Sequence, residues 1–225
     1  MAGVIDFTQH FLVRKLLEGF HRSKPTTDTR LPISLPLLAK IVNILPTVCR
    51  DTYETKLFAA AYTLAFFGFL RVGEITACSL TNSGHSLHKK DVRIDDKTQS
   101  IHLNIRHSKT DQCGKGTNVI IPQNKGDISV LQKTRQYLAV RPPIEGAFFC
   151  HFGGKPLTRY QFTAVLKKAL EKLGLNGLNF KTHSFRIGAA TMAALNGLSE
   201  EEIQVAGRWK SLAFKSYIRI PQIGT

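Results

Sequence analysis

The sequence has 225 residues, of which 43% are hydrophobic and 21% are charged, and these proportions are ordinary for a globular domain with its own core. Its formal net charge of +15 is unusually high. Such an excess of positive charge attracts polyanions, of which nucleic acid is the commonest. An anionic membrane surface is a less favoured partner, because the basic residues are spread along the chain rather than gathered in one amphipathic helix.

Cysteine spacing and apolar segments exclude other classes of protein. The four cysteines include no Cys-x-x-Cys pair, which argues against a zinc ribbon or a redox motif. With no signal peptide, they are expected to be reduced thiols in an intracellular protein, nuclear in a eukaryote and cytoplasmic otherwise. The most apolar run, Leu57 to Leu70, is shorter than the ~20 residues that span a bilayer. It predicts a buried helix, and we expect no membrane partner.

The N-terminal part of the chain is predicted to be helical. Residues 1–24 suggest one helix, and the polar, proline-containing stretch 25–33 is typical of a linker. Ser34 is suited to cap a following helix, which Pro46 is expected to stop. We therefore expect a main domain over residues 34–225.

A long apolar helix comes next, and a charged pair follows it directly. Asp51 and Glu54 form a capping-box pattern at its start, and the helix is expected to end at Leu70. Arg71 and Glu74 then stand beside the most buried part of the chain, where charges are costly unless they are paired or used. Taken alone, this pattern favours a simple ion pair between Arg71 and Glu74 at a helix end.

From Val92 to Ile121 the hydrophobic pattern changes to period two, which predicts three short antiparallel strands. Lys109 lies near the tip of the second hairpin. A lysine in such a turn is usually a solvated charge, but a flexible tip could also deliver a proton.

Two further helices complete the middle of the chain. One is predicted over Ser129 to Leu138, and Thr158 with Gln161 caps another that Gly174 ends. The fold class is therefore α+β, mainly helical, with a small antiparallel three-stranded sheet.

The segment from Lys181 to Tyr217 holds several side chains that suit a phosphate. His183 and Arg186 share one face near a predicted helix start, where backbone N–H groups already favour an anion. Trp209 follows a second short helix, and Tyr217 is expected one turn into a third. Taken singly, such residues are more often structural or solvent-exposed than functional.

The same segment permits a different interpretation. Ser199 and Glu202 form a capping box for a short helix that Gly207 is expected to end. The stretch from Arg186 to Trp209, with Gly197 at the turn, could instead be a helix-turn-helix that reads a DNA groove.

The joint pattern favours catalysis over these separate interpretations. Residues 30–220 resemble the catalytic domain of the tyrosine recombinase (phage integrase) family. The resemblance rests on motifs that occur in the family's order: Arg71-x-x-Glu74, Lys109, His183-x-x-Arg186, Gly207-x-Trp209 and Tyr217. The segments HSKTDQCGKG and GRWKSLAFKSYIR are most similar to the integrases of DIRS-type retroelements. The resemblance implies the tyrosine recombinase catalytic-domain fold, and it makes residues 1–24 a remnant of an N-terminal DNA-clamp domain.

The resemblance also implies how the phosphate is bound. Arg71 and Arg186 would clamp the non-bridging oxygens of the scissile phosphate, since a guanidinium is always charged and binds such oxygens in pairs. Trp209 would donate its indole N–H to the same phosphate. Glu74 would help to orient the site.

Three residues are implied to carry the bond rearrangement. Tyr217 would be the nucleophile and form a 3′-phosphotyrosine bond, Lys109 would protonate the leaving 5′ oxygen, and His183 would hold or accept the nucleophile's proton. The spacing from Trp209 to Tyr217 is shorter than in common members of the family, so the last helix is expected to begin earlier or to tilt.

This chemistry needs no metal, ATP or other cofactor, and its partner is double-stranded DNA, on which such proteins form dimers or tetramers. Two alternatives stay open. One is a non-catalytic DNA-binding relic that keeps the fold and the charge. The other, disfavoured by the DIRS-like segments, is a type IB topoisomerase-like enzyme.

Overall fold

The computed structural model describes Val13 and residues 28–79, 85–106, 116–124 and 126–219. The predicted helix over residues 1–24 therefore lies outside the described residues, apart from Val13. The helices are α1 Leu35–Ile44, α2 Thr52–Phe67, α3 Val72–Ile75, α4 Val130–Leu138, α5 Arg159–Lys172, α6 Ser184–Leu195 and α7 Glu200–Gly207, with 3₁₀ helices at Leu45–Thr47, Lys89–Asp91 and Leu212–Tyr217. The mainly helical α+β class is confirmed.

Five helices begin at a side chain that accepts a hydrogen bond from a backbone N–H three residues further on, which satisfies a donor that the helix itself leaves open. The predicted helix starts are therefore confirmed. These capping residues are Ser34, Asp51, Ser129, Thr158 and Ser199.

Helix α2 runs through the centre of the molecule, and most of its residues are buried. It packs against α1, α4 and α6. Its Tyr62 hydroxyl donates to the carbonyl of Phe162 on α5 at 3.0 Å, which satisfies the polar atom of a fully buried ring. In the described part of the chain, no helix is both long and apolar enough to cross a membrane.

The sheet has the order β1–β2–β3, with strands Val92–Asp95, Ser100–Ile105 and Thr117–Pro122, and both pairings are antiparallel. Alternate residues of β2 face the core, as the period-two pattern predicts. The predicted hairpin tip with Lys109 falls on residues 107–115, which lie outside the described residues.

The end of α2 differs from the prediction. The helix ends at Phe67 rather than Leu70, because Phe69 adopts the left-handed conformation with φ 48°. At Gly68 a Cβ atom would lie 2.9 Å from the carbonyl oxygen of Leu64, so the tight turn needs a glycine there. This turn directs two carbonyl groups toward the arginines described next.

Candidate active site

Glu74 is the centre of a cluster of charged side chains. It is 4% exposed, and its Oε1 accepts from Nη1 of Arg71 at 3.1 Å. Its Oε2 accepts from the backbone N–H of Arg71 at 2.9 Å and from Nη2 of Arg208 at 2.8 Å. The ion pair expected between Arg71 and Glu74 is therefore present, but the carboxylate also holds a second arginine.

Arg208 is a site residue that the sequence interpretation missed. Its side chain is only 8% exposed, and it donates to the carbonyls of Gly68 at 3.2 Å and Phe69 at 3.3 Å as well as to Glu74. Its buried Nε has no hydrogen-bond partner among the described residues. A basic residue after a helix C-terminus is commonly exposed and interacts favourably with the helix dipole. The local sequence therefore does not indicate that Arg208 is buried.

Arg186, on α6, is the most buried of the three arginines, with an exposure of 1%. Its terminal nitrogens donate to the carbonyls of Phe69 and Gly207. Burial, and then the charges of Arg71 and Arg208, lower its pKa to about 9. A side chain so buried does not reach a base edge, so the helix-turn-helix interpretation is wrong for Arg186.

Trp209 lies over the guanidinium of Arg186, with Cζ 4.2 Å from a ring centroid of the indole. This is a cation–π contact, which gains strength when it is shielded from water. The indole also packs on Gly207, where a Cβ atom would lie 1.4 Å from the ring. Gly207 is therefore needed for this contact. Helix α7 ends at Gly207, as expected, and Arg208 caps it in the left-handed conformation, with φ 55°.

Tyr217 lies on the third short helix of this segment, as expected, but it is the last residue of that helix rather than one turn into it, and the helix, Leu212–Tyr217, is a 3₁₀ helix. Its ring centroid lies 5.2 Å from that of Trp209 and 6.4 Å from that of His183. The Cζ atom of Arg186 is 5.9 Å from the same ring. The phenol is therefore held beside the arginine cluster.

His183 immediately precedes α6 and is half-buried. Its pKa is lowered by burial first, and then by the positive charges of Arg30, Arg186 and Arg159, against a weaker opposing effect of Asp28. The neutral imidazole is thus favoured at neutral pH, and it can accept a proton.

Six of the seven residues that the sequence singled out lie within this one region, and Lys109 lies outside the described residues. The side chain of Arg71 is 20% exposed, so it is the arginine of the cluster that an anion reaches first. Among the residues described, no group of three His, Cys, Asp or Glu side chains is placed to hold a metal ion. Chemically, the arrangement offers cations for an anion, a nucleophile and a proton acceptor. The residues gathered here are Arg71, Glu74, His183, Arg186, Trp209 and Tyr217.

A sequence profile of the phage integrase family matches residues 37–219. No curated protein sequence matches the chain.

Solved structures of recombinases have a similar fold. A XerH site-specific recombinase bound to difH substrate aligns with a TM-score of 0.61 and 15% identity, over 88% of this chain and 52% of that one. A lambda integrase dimer bound to a COC' core site aligns with a TM-score of 0.64 and 15% identity, over 92% of this chain and 53% of that one. The XerA recombinase aligns with a TM-score of 0.64 and 16% identity, over 97% of this chain and 73% of that one. The chain thus shares their fold and spans about half the length of the XerH and lambda integrase chains.

Proposed function

Because the chain belongs to the phage integrase family, we propose that it is a site-specific DNA recombinase or integrase that cuts and rejoins double-stranded DNA through a covalent 3′-phosphotyrosine intermediate. The observation that carries this proposal is the cluster of three arginines around Glu74, with Tyr217 beside it. Three guanidiniums and one carboxylate leave two positive charges in excess in a largely buried place. A phosphodiester is an anion that would relieve this repulsion.

The arginines have separate parts in binding the phosphate. Arg71, with the most exposed side chain, makes the first contact with the non-bridging oxygens. Arg186 lies beneath Trp209, so its direct contact with the phosphate requires the indole to swing off the guanidinium. In that movement the indole N–H becomes available as a further donor. Preorganised cations of this kind stabilise the charge that develops in a pentavalent transition state.

The covalent step breaks one phosphate ester and forms another. The phenol oxygen of Tyr217 attacks the phosphorus, its proton passes to the neutral imidazole of His183, and the bond from phosphorus to the 5′ oxygen breaks. Lys109 gives that oxygen its proton, which frees a 5′-hydroxyl. The phosphotyrosine bond conserves the energy for rejoining, so the proposed reaction needs neither metal nor ATP.

Several finer assignments belong to the same proposal. We infer that the protein is related to DIRS-type retroelement integrases, on the basis of the segments HSKTDQCGKG and GRWKSLAFKSYIR. Residues 34–225 form the catalytic domain in this proposal, residues 25–33 the linker and residues 1–24 a remnant of the DNA clamp. On DNA the protein works as a dimer or tetramer, in the nucleus if the source is a eukaryote and in the cytoplasm otherwise.

The second candidate function is a DNA-binding relic without catalysis. The burial of Arg186 beneath Trp209 and Tyr217 favours it over a type IB topoisomerase-like enzyme, because Arg186 cannot touch a phosphate until those rings move.

A suicide DNA substrate, nicked so that the cleaved end is lost, tests the proposal. The wild-type protein is expected to form a covalent protein–DNA band on denaturing gels, and Tyr217→Phe is expected to abolish that band while DNA binding persists. Arg71→Ala is expected to reduce the band's rate of formation by a factor of ~10² or more. A wild-type protein that binds DNA yet forms no band on any substrate establishes the relic instead.

A further inference from the structure

The segment Asp28–Arg30, within the predicted linker, lies against the C-terminal segment that carries Tyr217. Asp28 and Arg30 form a two-point ion pair, with both N–O distances at 2.8 Å. Arg219 reaches the same residue from the other end of the chain: its Nη2 lies 3.3 Å from Oδ2 of Asp28 and 3.1 Å from its carbonyl oxygen. The segment Asp28–Arg30 is thus joined to the C-terminal segment two residues after Tyr217.

Thr191 attaches the same segment to helix α6. Its hydroxyl, largely buried, donates to the carbonyl of Tyr217 at 3.3 Å and accepts from the backbone N–H of Arg219 at 3.0 Å. One hydroxyl therefore holds the backbone on both sides of Ile218. Since α6 also carries Arg186, this contact fixes the tyrosine relative to that arginine.

The backbone of residues 28–33 is itself fastened to the body of the molecule. Leu31 donates to the carbonyl of Asn179 at 3.0 Å, and Ile33 donates to that of Ser184 at 2.9 Å. At Gly188 of α6 a Cβ atom would lie 1.8 Å from the carbonyl oxygen of Ile33, so the strand-like segment and the helix are in direct backbone contact. Asp28 is thus a fixed anchor for Arg219.

We propose that Asp28, Thr191 and Arg219 form a clasp that positions Tyr217 for attack and so sets the rate of the covalent step. This inference rests on the proposed function. It concerns positioning, because none of the three side chains is among those proposed to touch the phosphate. Positioning a nucleophile matters because small misplacements reduce a rate far more than they reduce binding.

The single tryptophan of the chain offers a readout that needs no catalysis. Trp209 lies 5.2 Å from the ring of Tyr217, and its own ring is partly exposed. When the clasp opens, the ring of Tyr217 moves away from the indole of Trp209, and the indole becomes more exposed to solvent. Release of the clasp is therefore expected to shift the emission to longer wavelength and to increase quenching by acrylamide.

The test compares Thr191→Val, which keeps the shape but removes the hydroxyl, with Thr191→Ser, which keeps the hydroxyl. Asp28→Asn removes the charge that holds Arg219. Arg135→Gln is the control, since it removes an arginine–aspartate pair, with the exposed Asp96, that takes no part in the clasp. For each full-length variant we would measure Trp209 emission, melting temperature, DNA affinity and the single-turnover rate on the suicide substrate.

Thr191→Val and Asp28→Asn are expected to shift the emission and to slow covalent-complex formation between about tenfold and about a hundredfold, with DNA affinity and melting temperature little changed. Thr191→Ser and Arg135→Gln should behave like the wild type. Unchanged rates and emission in Thr191→Val, or faster cleavage, would overturn the clasp. If the emission shifts but even the wild type never forms the covalent band, the proposed function fails and the clasp stands as a structural contact of Tyr217.

Discussion

Glu74 and Arg208 are joined by an ion pair of 2.8 Å between Oε2 and Nη2, although 134 positions separate them in the sequence. Both side chains are almost completely buried. Because Glu74 also binds Arg71, it is the carboxylate that allows three guanidiniums to lie close together. The stability of the whole cluster therefore depends on this one acidic side chain.

Glu74→Gln keeps the shape of the side chain and removes its charge. We expect a loss of about 3 kcal/mol or more in the free energy of unfolding, because breaking a buried charge network leaves its cations uncompensated. Urea denaturation measures this loss, and added phosphate should recover part of it. The control Glu171→Gln disturbs only the exposed pair with Lys167 and is expected to change stability by roughly 0.5 kcal/mol or less. Equal effects in both variants would contradict the proposed role of Glu74.

Arg208 combines a buried ion pair with a left-handed backbone, and two substitutions separate these features. Arg208→Ala and Arg208→Gly both lose the guanidinium, but glycine adopts a positive φ without the steric penalty of a Cβ atom. We expect Arg208→Gly to be more stable than Arg208→Ala by about 1 kcal/mol. Thermal or urea unfolding decides this, and an Arg208→Ala protein as stable as Arg208→Gly would show that the left-handed conformation carries no strain.

Gly207→Ala inserts a Cβ atom where the ring of Trp209 lies, and the ring must move. We expect a loss of about 1–3 kcal/mol in stability, as for other overpacked sites, together with a change in the fluorescence of Trp209. Gly73→Ala is the matched control, since among the described residues no atom outside its chain neighbours and the backbone of its own helix lies within 4 Å of a Cβ atom there. That variant should be unchanged or more stable by about 0.4–1 kcal/mol. Unaltered Trp209 emission in Gly207→Ala would contradict the packing described.

The pKa of His183 is predicted to rise in Arg30→Gln. In the wild type, burial and the neighbouring charges of Arg30, Arg186 and Arg159 lower this pKa, and Asp28 opposes them. Removing Arg30 takes away one charge that lowers the pKa of His183 and leaves Asp28 paired with Arg219 alone, so both changes raise that pKa. NMR titration of the His183 ring measures the pKa, with His183→Gln identifying its resonance.

The same shift has a consequence for activity and stability. Because the folded state disfavours protonated His183, its contribution to stability is present above pH 6.5 and is lost as the pH falls through the lowered pKa. In Arg30→Gln this acid-induced loss should be smaller, while the acid limb of the cleavage rate moves to higher pH, since the neutral imidazole disappears sooner. A limb that moves to lower pH would contradict the assignment of His183 as proton acceptor.

Features that depend on a few neighbouring residues were predictable from the sequence. The helix starts were predictable because an N-cap side chain accepts a hydrogen bond from a backbone N–H only three residues away. The capping residues recognised in this way were Ser34, Asp51, Thr158 and Ser199. The alternation of β2 was equally clear, since one face of the sheet packs on the core. Arg71 and Arg186 were found because the order of the motifs that contain them resembles the order in a known family.

Features created by distant contacts were not predictable. Arg208 is buried because Glu74 and the turn at Phe69 meet it across the fold, and nothing in its local sequence distinguishes it from a surface cation. The 3₁₀ conformation before Tyr217 depends likewise on Thr191 and Arg219, which hold the segment from outside it. The early end of α2 has the same origin, since the carbonyl that Phe69 turns inward is used by two arginines.

Arg71 precedes the three-stranded sheet in the sequence, whereas Arg186 and Arg208 come after helix α5. During synthesis at roughly 5–20 residues per second, several seconds pass between the synthesis of Arg71 and that of Arg186 and Arg208. Contacts of such long sequence separation also form slowly in folding. A nascent chain that ends before Arg186 and Arg208 therefore carries scattered basic residues, and the proposed phosphate site can assemble only after Arg208 has been made.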